Sequence, residues 1–259
     1  PTVTVNATMT TAQIQSAISG AGNGAYICFA SGTYRLTTQL QAAAGQTLHG
    51  SPNTVIKGSA LLTGATASGS NFVYSSVPLV YAGPTESNKK WCEDTVNFPC
   101  AFAEDVFFDG KPLTRATTLA GVNATSFYTD YAAKKVYLGA NPSGHTVEIG
   151  RTKFAFLIGN DNVTIEGFIV EMFAHPMDSG AIAFGSGTGG MVRNNEVRYN
   201  HGNGAVGWAT STTFQYNRFH DNGQTGVSSS NGAGVVVDHN DVIHNNIFGC
   251  FYAGFFFCP

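Results

Sequence analysis

The chain has 259 residues with 43 % apolar content, enough for one large packed domain or two small ones. Only 11 % of residues are charged while glycines number 31, the balance of an all-β chain with many short strands and turns. A net charge of −3 offers no basic footprint, which excludes nucleic acid as a partner, and the richest apolar patch, 251–258, is too short for a membrane span.

Thr10, followed by Ile14, Ala17 and Ile18 on one face and Gly20 as a stop, predicts a short helix over 10–19. A helix in this place would cover the open end of a strand stack, whose edges otherwise present unpaired backbone groups. AYICFASGTYRL, QTLHG and TVIKGS then read as short strands closed by Gly or a polar turn, with Cys28 expected as a buried thiol. From 70 to 150 the segments NFVYSSVPLVYAG, EDVFFDGKPLTRA, SFYTDYAAKKVYLG and HTVEIG read as antiparallel strands. Asp109-Gly110 is a strong hairpin signal and Ala132-Ala133-Lys134 a second turn. This is a β-rich insertion within a single domain of 1–259, clipped by a Cys92–Cys100 disulfide. Tyr128, Tyr131 and Tyr137 could line a sugar platform there, although alternating aromatics in strands more commonly form core.

Regular coils occupy 151–259. From 191 to 246 the chain passes three times over one pattern: Asn195, Asn217 and Asn240 recur at steps of 22 and 23, and so do Asn200, Asn222 and Asn245, and Gly204, Gly226 and Gly249. Each pass consists of β-branched or aromatic pieces broken by Asn and Gly, without the i, i+3, i+4, i+7 spacing of a helical solenoid. The fold class expected is therefore all-β, a right-handed parallel β-helix, in which like residues stack about 4.8 Å apart and Asn columns form amide ladders. Asn and Gly also suit the left-handed corners that such a coil needs. Aligning Gly167 with Asn195 gives an earlier step of 28, whose extra residues fall in 173–180 and place His175 and Asp178 on a projecting loop.

Stacking the passes sorts side chains into columns. Val192, Phe214 and Val237 point inward, as do Val197, Phe219 and Val242. Outward columns hold Arg193, Gln215 and Asp238; Glu196, Arg218 and Asp241; and Arg198, His220 and Ile243, beside a corner column of Glu171, Tyr199, Asp221 and His244. Alternating charge along an axis is what a solvated ladder looks like. The same residues also compose a groove suited to an extended, acidic polysaccharide. A lyase would need a base for the proton α to a uronate carboxyl and a cation to neutralise that carboxyl; a hydrolase would need two carboxylates. The densest cluster, His220, Asp221, His244 and Arg198, is the catalytic candidate, with Arg193, Arg218, Tyr199, His175 and Asp178 as substrate-binding candidates.

The run 13–58, with its helix, GTYRL and the LHG and IKG strand ends, resembles the opening of the pectate-lyase-like superfamily. The repeats from Val163 onward resemble right-handed β-helix repeat proteins of bacterial secretomes. That resemblance implies a carbohydrate-active protein, a polysaccharide lyase or glycosidase, but it carries no catalytic residues over. His201-Gly202 resembles a fragment of the polygalacturonase motif without that family's paired aspartates, and the calcium-binding aspartates and partner arginine of pectate lyases have no match. Calcium is compatible with the superfamily and indicated by no motif, and no Cys or His spacing suggests zinc. Low Lys content and two disulfides, Cys92–Cys100 and Cys250–Cys258, point to an exported protein whose Pro1 follows a cleaved leader. Asn6, Asn123 and Asn162 head glycosylation sequons. The aromatic tail either folds back on the last coil, or meets another subunit, or marks a fragment, and self-association through it is the mark of the rival reading, a fibre or surface-layer subunit.

Overall fold

In the computed structural model, which describes residues 2–208, 211–229, 234–250 and the backbone of the strand Phe255–Phe256, the chain winds into a right-handed parallel β-helix. Three sheets form its walls. The first stacks Thr2–Val5, Tyr26–Phe29, Thr47–Gly50, Thr164–Glu166, Met191–Arg193, Thr213–Gln215 and Val236–Asp238 in parallel. Gly32–Arg35, Thr54–Lys57, Ile169–Glu171, Glu196–Arg198, Arg218–His220 and Asp241–Ile243 make the second. The third holds Phe156–Ile158, Gly180–Phe184, Asn203–Gly207 and Val227–Ser229, and Phe255–Phe256 joins it antiparallel, so the described part of the tail runs back along the last coil.

Alternation along these strands fills the interior. Ile27, Phe29, Leu48, Ile165, Val192 and Phe214 enter from the first sheet and Ile56, Val170, Val197 and Phe219 from the second, all fully buried. Each such side chain contributes about 1.5–3 kcal/mol of burial. The helix Thr11–Ala21 closes one end, with Thr10 and Gln13 forming a reciprocal capping box and Ile14 and Ile18 facing the core. It runs past Gly20 and stops at Gly22, whose φ of 78° a side chain would resist. Cys28 is half-exposed rather than buried, because Ile27 and Phe29 take the inward positions on either side.

Coil corners are held by the asparagines. Asn195 Nδ2 donates to Asn217 Oδ1 at 3.0 Å, and Asn217 Nδ2 to Asn240 Oδ1 at 2.9 Å. A second ladder runs from Asn200 to Asn222 at 3.0 Å and on to Asn245 at 2.9 Å. Every rung also engages backbone: Asn217 Nδ2 donates to Val192 O at 2.8 Å, while its oxygen accepts Asn195 N–H at 3.0 Å. The amide thus satisfies main-chain groups that the bend takes out of the sheets. The left-handed corner itself falls one residue earlier, on Asn194, Tyr216 and His239 at φ of 55°, 56° and 49°, and on Tyr199, Asp221 and His244 at 55°, 53° and 50°.

That offset corrects the register of the first regular coil. Thr164 pairs with Met191, and Phe168 N–H donates to Asn195 Oδ1 at 3.0 Å across 27 residues, not 28. Gly167, at φ 77°, occupies the left-handed slot of Asn194, and Phe168 takes the buried ladder slot. Glu171 consequently lies in the strand column between Lys57 and Arg198, and Met172 heads the corner column instead.

The side sheets leave the helix without disturbing it, since Thr47–Gly50 pairs directly with Thr164–Glu166. They begin at Ser59–Leu61, which pairs antiparallel with Val147–Gly150, ahead of the position where periodicity is lost in the sequence. The hairpin at Asp109-Gly110 and the turn before Lys135–Leu138 form as expected. Tyr74, Val106, Phe127, Val136, Leu138 and Ile149 give this unit its own core.

Cys92 and Cys100 are disulfide-bonded. Cys250 is a buried free thiol directed at Gly223 O at 3.5 Å, and its expected partner Cys258 lies outside the described residues. The segment 173–180 is no projecting wall. Phe173 points into the core of the coils, and Ala174, His175 and Met177 are buried where the side unit lies over them: Tyr81 Oη donates to Ala174 O at 2.9 Å and Met177 packs with Cys92, Cys100 and Cys250. For Asn217→Ala, which strips partners from buried groups on both neighbouring coils, we expect a loss of about 2–3 kcal/mol in urea denaturation; a change within a few tenths would show that the ladder contributes nothing.

Candidate functional site

The second sheet carries one continuous zipper of charge. Arg35 pairs with Glu148 from the side unit, and Lys57 Nζ reaches Glu148 at 3.0 Å and Glu171 at 3.2 Å. Arg198 Nε reaches Glu171 at 2.8 Å and its Nη1 reaches Glu196 at 2.6 Å. His220 lies between Glu196, 3.0 Å from Nε2, and Asp221, 2.6 Å from Nδ1, and Asp221 also contacts His244. The structure therefore brings His220, Asp221, His244 and Arg198 together, and it adds Glu196 and Glu171 to them.

His220 is not a free base, whereas His244, held through Nδ1 to Asp221 and 78 % exposed, keeps Nε2 without a partner among the described residues. Both nitrogens of His220 face carboxylates, so neither offers a lone pair to a substrate. Burial alone would push Glu148, Glu196 and Asp221 up, yet their hydrogen bonds outweigh it and hold all three below the ordinary carboxylate range. Arg198 loses something to burial and gains more from Glu171 and Glu196, which raises its pKa. Every charged group of the zipper is thus matched, with His244 Nε2 the nitrogen that has no partner among the described residues. Tyr199 packs edge-on against His220 at 6.3 Å and under the Arg198 guanidinium at 5.6 Å, so it belongs to the same assembly.

Other expected residues separate. Arg193 projects from the first sheet, where its Nε holds Glu166 at 2.7 Å beside His49 at 3.0 Å, and it does not share the His220 face. His175 is wholly buried, with burial driving its pKa down to about 3, so it is neutral and presents no surface to a ligand. Asp178 is half-buried, its carboxyl raised by desolvation, and its backbone N–H donates to Gln224 Oε1 at 2.8 Å. His201 is buried under the side unit, with Nδ1 2.9 Å from Asp105 and Nε2 2.9 Å from Cys100 O. Among the described residues no three His, Cys, Asp or Glu side chains group as a metal site.

Arg218 is the exception to the pairing. Although it lies in register between Glu196 and Asp241, its guanidinium makes no ion pair or hydrogen bond among the described residues, and neither does the Asp241 carboxylate. Glu196 is drawn instead toward Arg198 and His220. Arg218, Asp241, Glu196, Asn194, Tyr216 and His239 line an open shelf of about 420 Å³ at the corner between first and second sheets. Tyr216 is 53 % exposed in a left-handed conformation that bulky residues rarely adopt, and its ring packs on His239 at 5.2 Å. Nδ1 of His239 sits 2.6 Å from Asp238 Oδ1, which fixes the tautomer and leaves Nε2 open. Sequence columns identified Arg218 but missed Tyr216 and His239, which occupy the corner position one residue before each ladder asparagine.

A larger cleft of about 630 Å³ lies on the side unit, between the Cys92–Cys100 loop and the sheet containing Ser126–Asp130. Tyr128 lines it, whereas Tyr131 is turned away and donates to buried Glu104 at 3.0 Å.

Residues 140–256 match the family model for the right handed beta helix region. No curated protein sequence matches the chain. Among solved structures, the complex structure of XylC with xylose superposes with a TM-score of 0.74 at 15 % identity, over 95 % of this chain and 54 % of that one. The present chain thus spans about half the length of that relative. A second structure, a glycoside hydrolase, gives a TM-score of 0.51 at 11 % identity over 90 % of this chain and 80 % of its own. At such identities the likeness is one of fold.

The zipper has a pH signature. Glu148, Glu196 and Asp221 have folded-state pKa values below their unfolded ones, so the unfolded chain takes up protons first as pH falls. Their contribution is complete above the ordinary carboxylate pKa of about 4 and is lost progressively below it. Denaturation midpoints should begin to fall below about pH 6.5, where the unfolded chain protonates the His175 ring that burial keeps neutral in the fold, and fall further below about pH 4 as the carboxylate pairs are lost. Glu148→Gln should be less stable at neutral pH and show a shallower fall in acid; an unchanged profile would contradict the pairing.

Proposed function

We propose that the chain is an exported, carbohydrate-active β-helix protein that holds an acidic polysaccharide across the Tyr216–Arg218–His239 shelf and cleaves it by elimination. One observation carries this reading: an unpaired guanidinium beside an exposed ring and a histidine with an open nitrogen, on a flank where, among the described residues, the cations of the neighbouring columns are paired and Asp241 is the unpaired anion. The architecture shared with a xylose complex of XylC and with a glycoside hydrolase supports carbohydrate as the partner class. The Cys92–Cys100 disulfide supports export.

The chemistry follows from the side chains. Arg218 would take the carboxylate of a uronate residue and so acidify the proton α to it. Nε2 of His239 would receive that proton, the C–O bond to the departing sugar would break, and the departing oxygen would take a proton from solvent, leaving an unsaturated end. Tyr216 would supply a face for the sugar ring. A hydrolase is less well served. Glu196 and Asp241 share a column two coils apart, roughly 9.6 Å, near the separation of inverting enzymes. A general acid needs a raised pKa, however, and Glu196 is held low by His220 and Arg198.

Incubation with polygalacturonate, alginate, glucuronoxylan and unsubstituted xylan, following ultraviolet absorbance of unsaturated products and reducing ends together, tests the proposal. Uronate polymers should yield unsaturated ends, Arg218→Ala should lower kcat/KM about a hundredfold, and His220→Ala should act through stability. Reducing ends without unsaturation would establish a hydrolase. Absence of binding to every polymer, with filaments at high concentration, would establish the structural-subunit reading.

A further inference from the structure

We infer that the cleft on the side unit is a second saccharide site, distinct from the helix flank and selective for neutral sugars. It shares no lining residue with the shelf, and its volume of about 630 Å³ lies within the range of small-ligand sites.

Selectivity comes from how its charges are used. Three charged residues line the cleft and each is matched inside the protein. Asp94 accepts N–H bonds from Val96 and Asn97, both at 2.9 Å, and the Asn97 amide at 2.8 Å, which shapes the loop. Lys89 Nζ holds Glu86 at 2.9 Å and lies over the Phe98 ring at 5.2 Å. Arg115 donates to Phe102 O at 3.3 Å and to Glu104 O, and stacks over Phe102 at 5.0 Å and Phe127 at 4.6 Å. The groups left to a ligand are the hydroxyls of Tyr128, Thr117 and Thr118, which have no hydrogen-bond partner among the described residues, and the faces of the Phe98 and Tyr128 rings that Lys89 and Tyr137 do not take. Aromatic faces with unengaged hydroxyls and no unengaged charge complement a neutral pyranose, which has an apolar face and a hydroxyl rim. A uronate would bring a carboxylate with no free cation to meet it.

The loop wall is also held covalently. Asp94, Val96, Asn97, Phe98 and Pro99 all line the cleft and all lie between Cys92 and Cys100, so the disulfide fixes one side of the site against Tyr128 on the other. Reduction should therefore loosen the site while leaving the helix coils in place.

Calorimetric titration of the full chain with cellotriose, xylotriose and trigalacturonate tests the inference, in an Arg218→Ala background that disables the flank. At least one neutral trisaccharide should bind and trigalacturonate should not. Tyr128→Ala should weaken neutral binding about tenfold, and Thr117→Trp, a change at an exposed rim position that blocks entry without touching the core, should abolish it. Reduction of Cys92–Cys100 should weaken it with the circular dichroism of the coils unchanged. No binding by any neutral trisaccharide, binding that survives Thr117→Trp, or tighter binding of trigalacturonate would each overturn the inference. None of these results bears on uronate cleavage at Arg218, which is read in the unsubstituted chain.

Discussion

Buried asparagine amides at the coil corners are the interaction on which the rest of this molecule depends. A parallel coil satisfies its backbone through the coils above and below, except at the bends, where N–H and C=O groups leave the sheets. Asn195, Asn217 and Asn240 on one corner and Asn200, Asn222 and Asn245 on the other return those bonds and bind each amide to the next. Once the corners are pinned, the register is fixed, and a one-residue slip would turn every core valine and phenylalanine outward. The side unit can leave between Lys57 and Phe156 because the strands on either side still find each other.

Fixed register has an electrostatic consequence. Strands about 4.8 Å apart bring residues of the same column within ion-pair reach, so any column of charge either matches itself or repels. On the second sheet it matches, from Arg35 through Glu171 and Arg198 to His220 and Asp221. Density of titratable groups is therefore a poor guide to chemistry here, because a packed column keeps its protons and its partners. A group left out of the pairing is more informative. Arg218 is left out because Glu196 is drawn sideways to Arg198 and His220, and the exposed, left-handed Tyr216 and His239 lie beside it.

The architecture was legible because its cause is periodic. Steps of 22 and 23 residues show directly which side chains stack, and the inward valines and phenylalanines, both ladders and the outward columns from 191 onward follow from them. Legibility ended where the cause was non-local or turned on a single residue. Gly167 looked equivalent to Asn195, but the left-handed slot precedes the ladder slot, so Glu171 was placed one position off. His175 read as an exposed loop residue because nothing nearby in sequence announces that the side unit folds over it. Tyr216 and His239 carried a signal that went unread: non-glycine residues at the corner position, where their side chains must point to solvent. The cleft at Tyr128 depends on a disulfide loop closing over a strand some thirty residues away, which no pattern of apolar residues encodes.

We propose that function lies with the charges the ladder leaves unpaired and not with the charges it gathers. A crystal structure of the chain soaked with a uronate oligosaccharide tests it most directly. Density is expected for a sugar ring against Tyr216 with its carboxylate on the Arg218 guanidinium. Density lying instead along His220, Asp221 and Arg198, with their ion pairs opened to receive it, would contradict it.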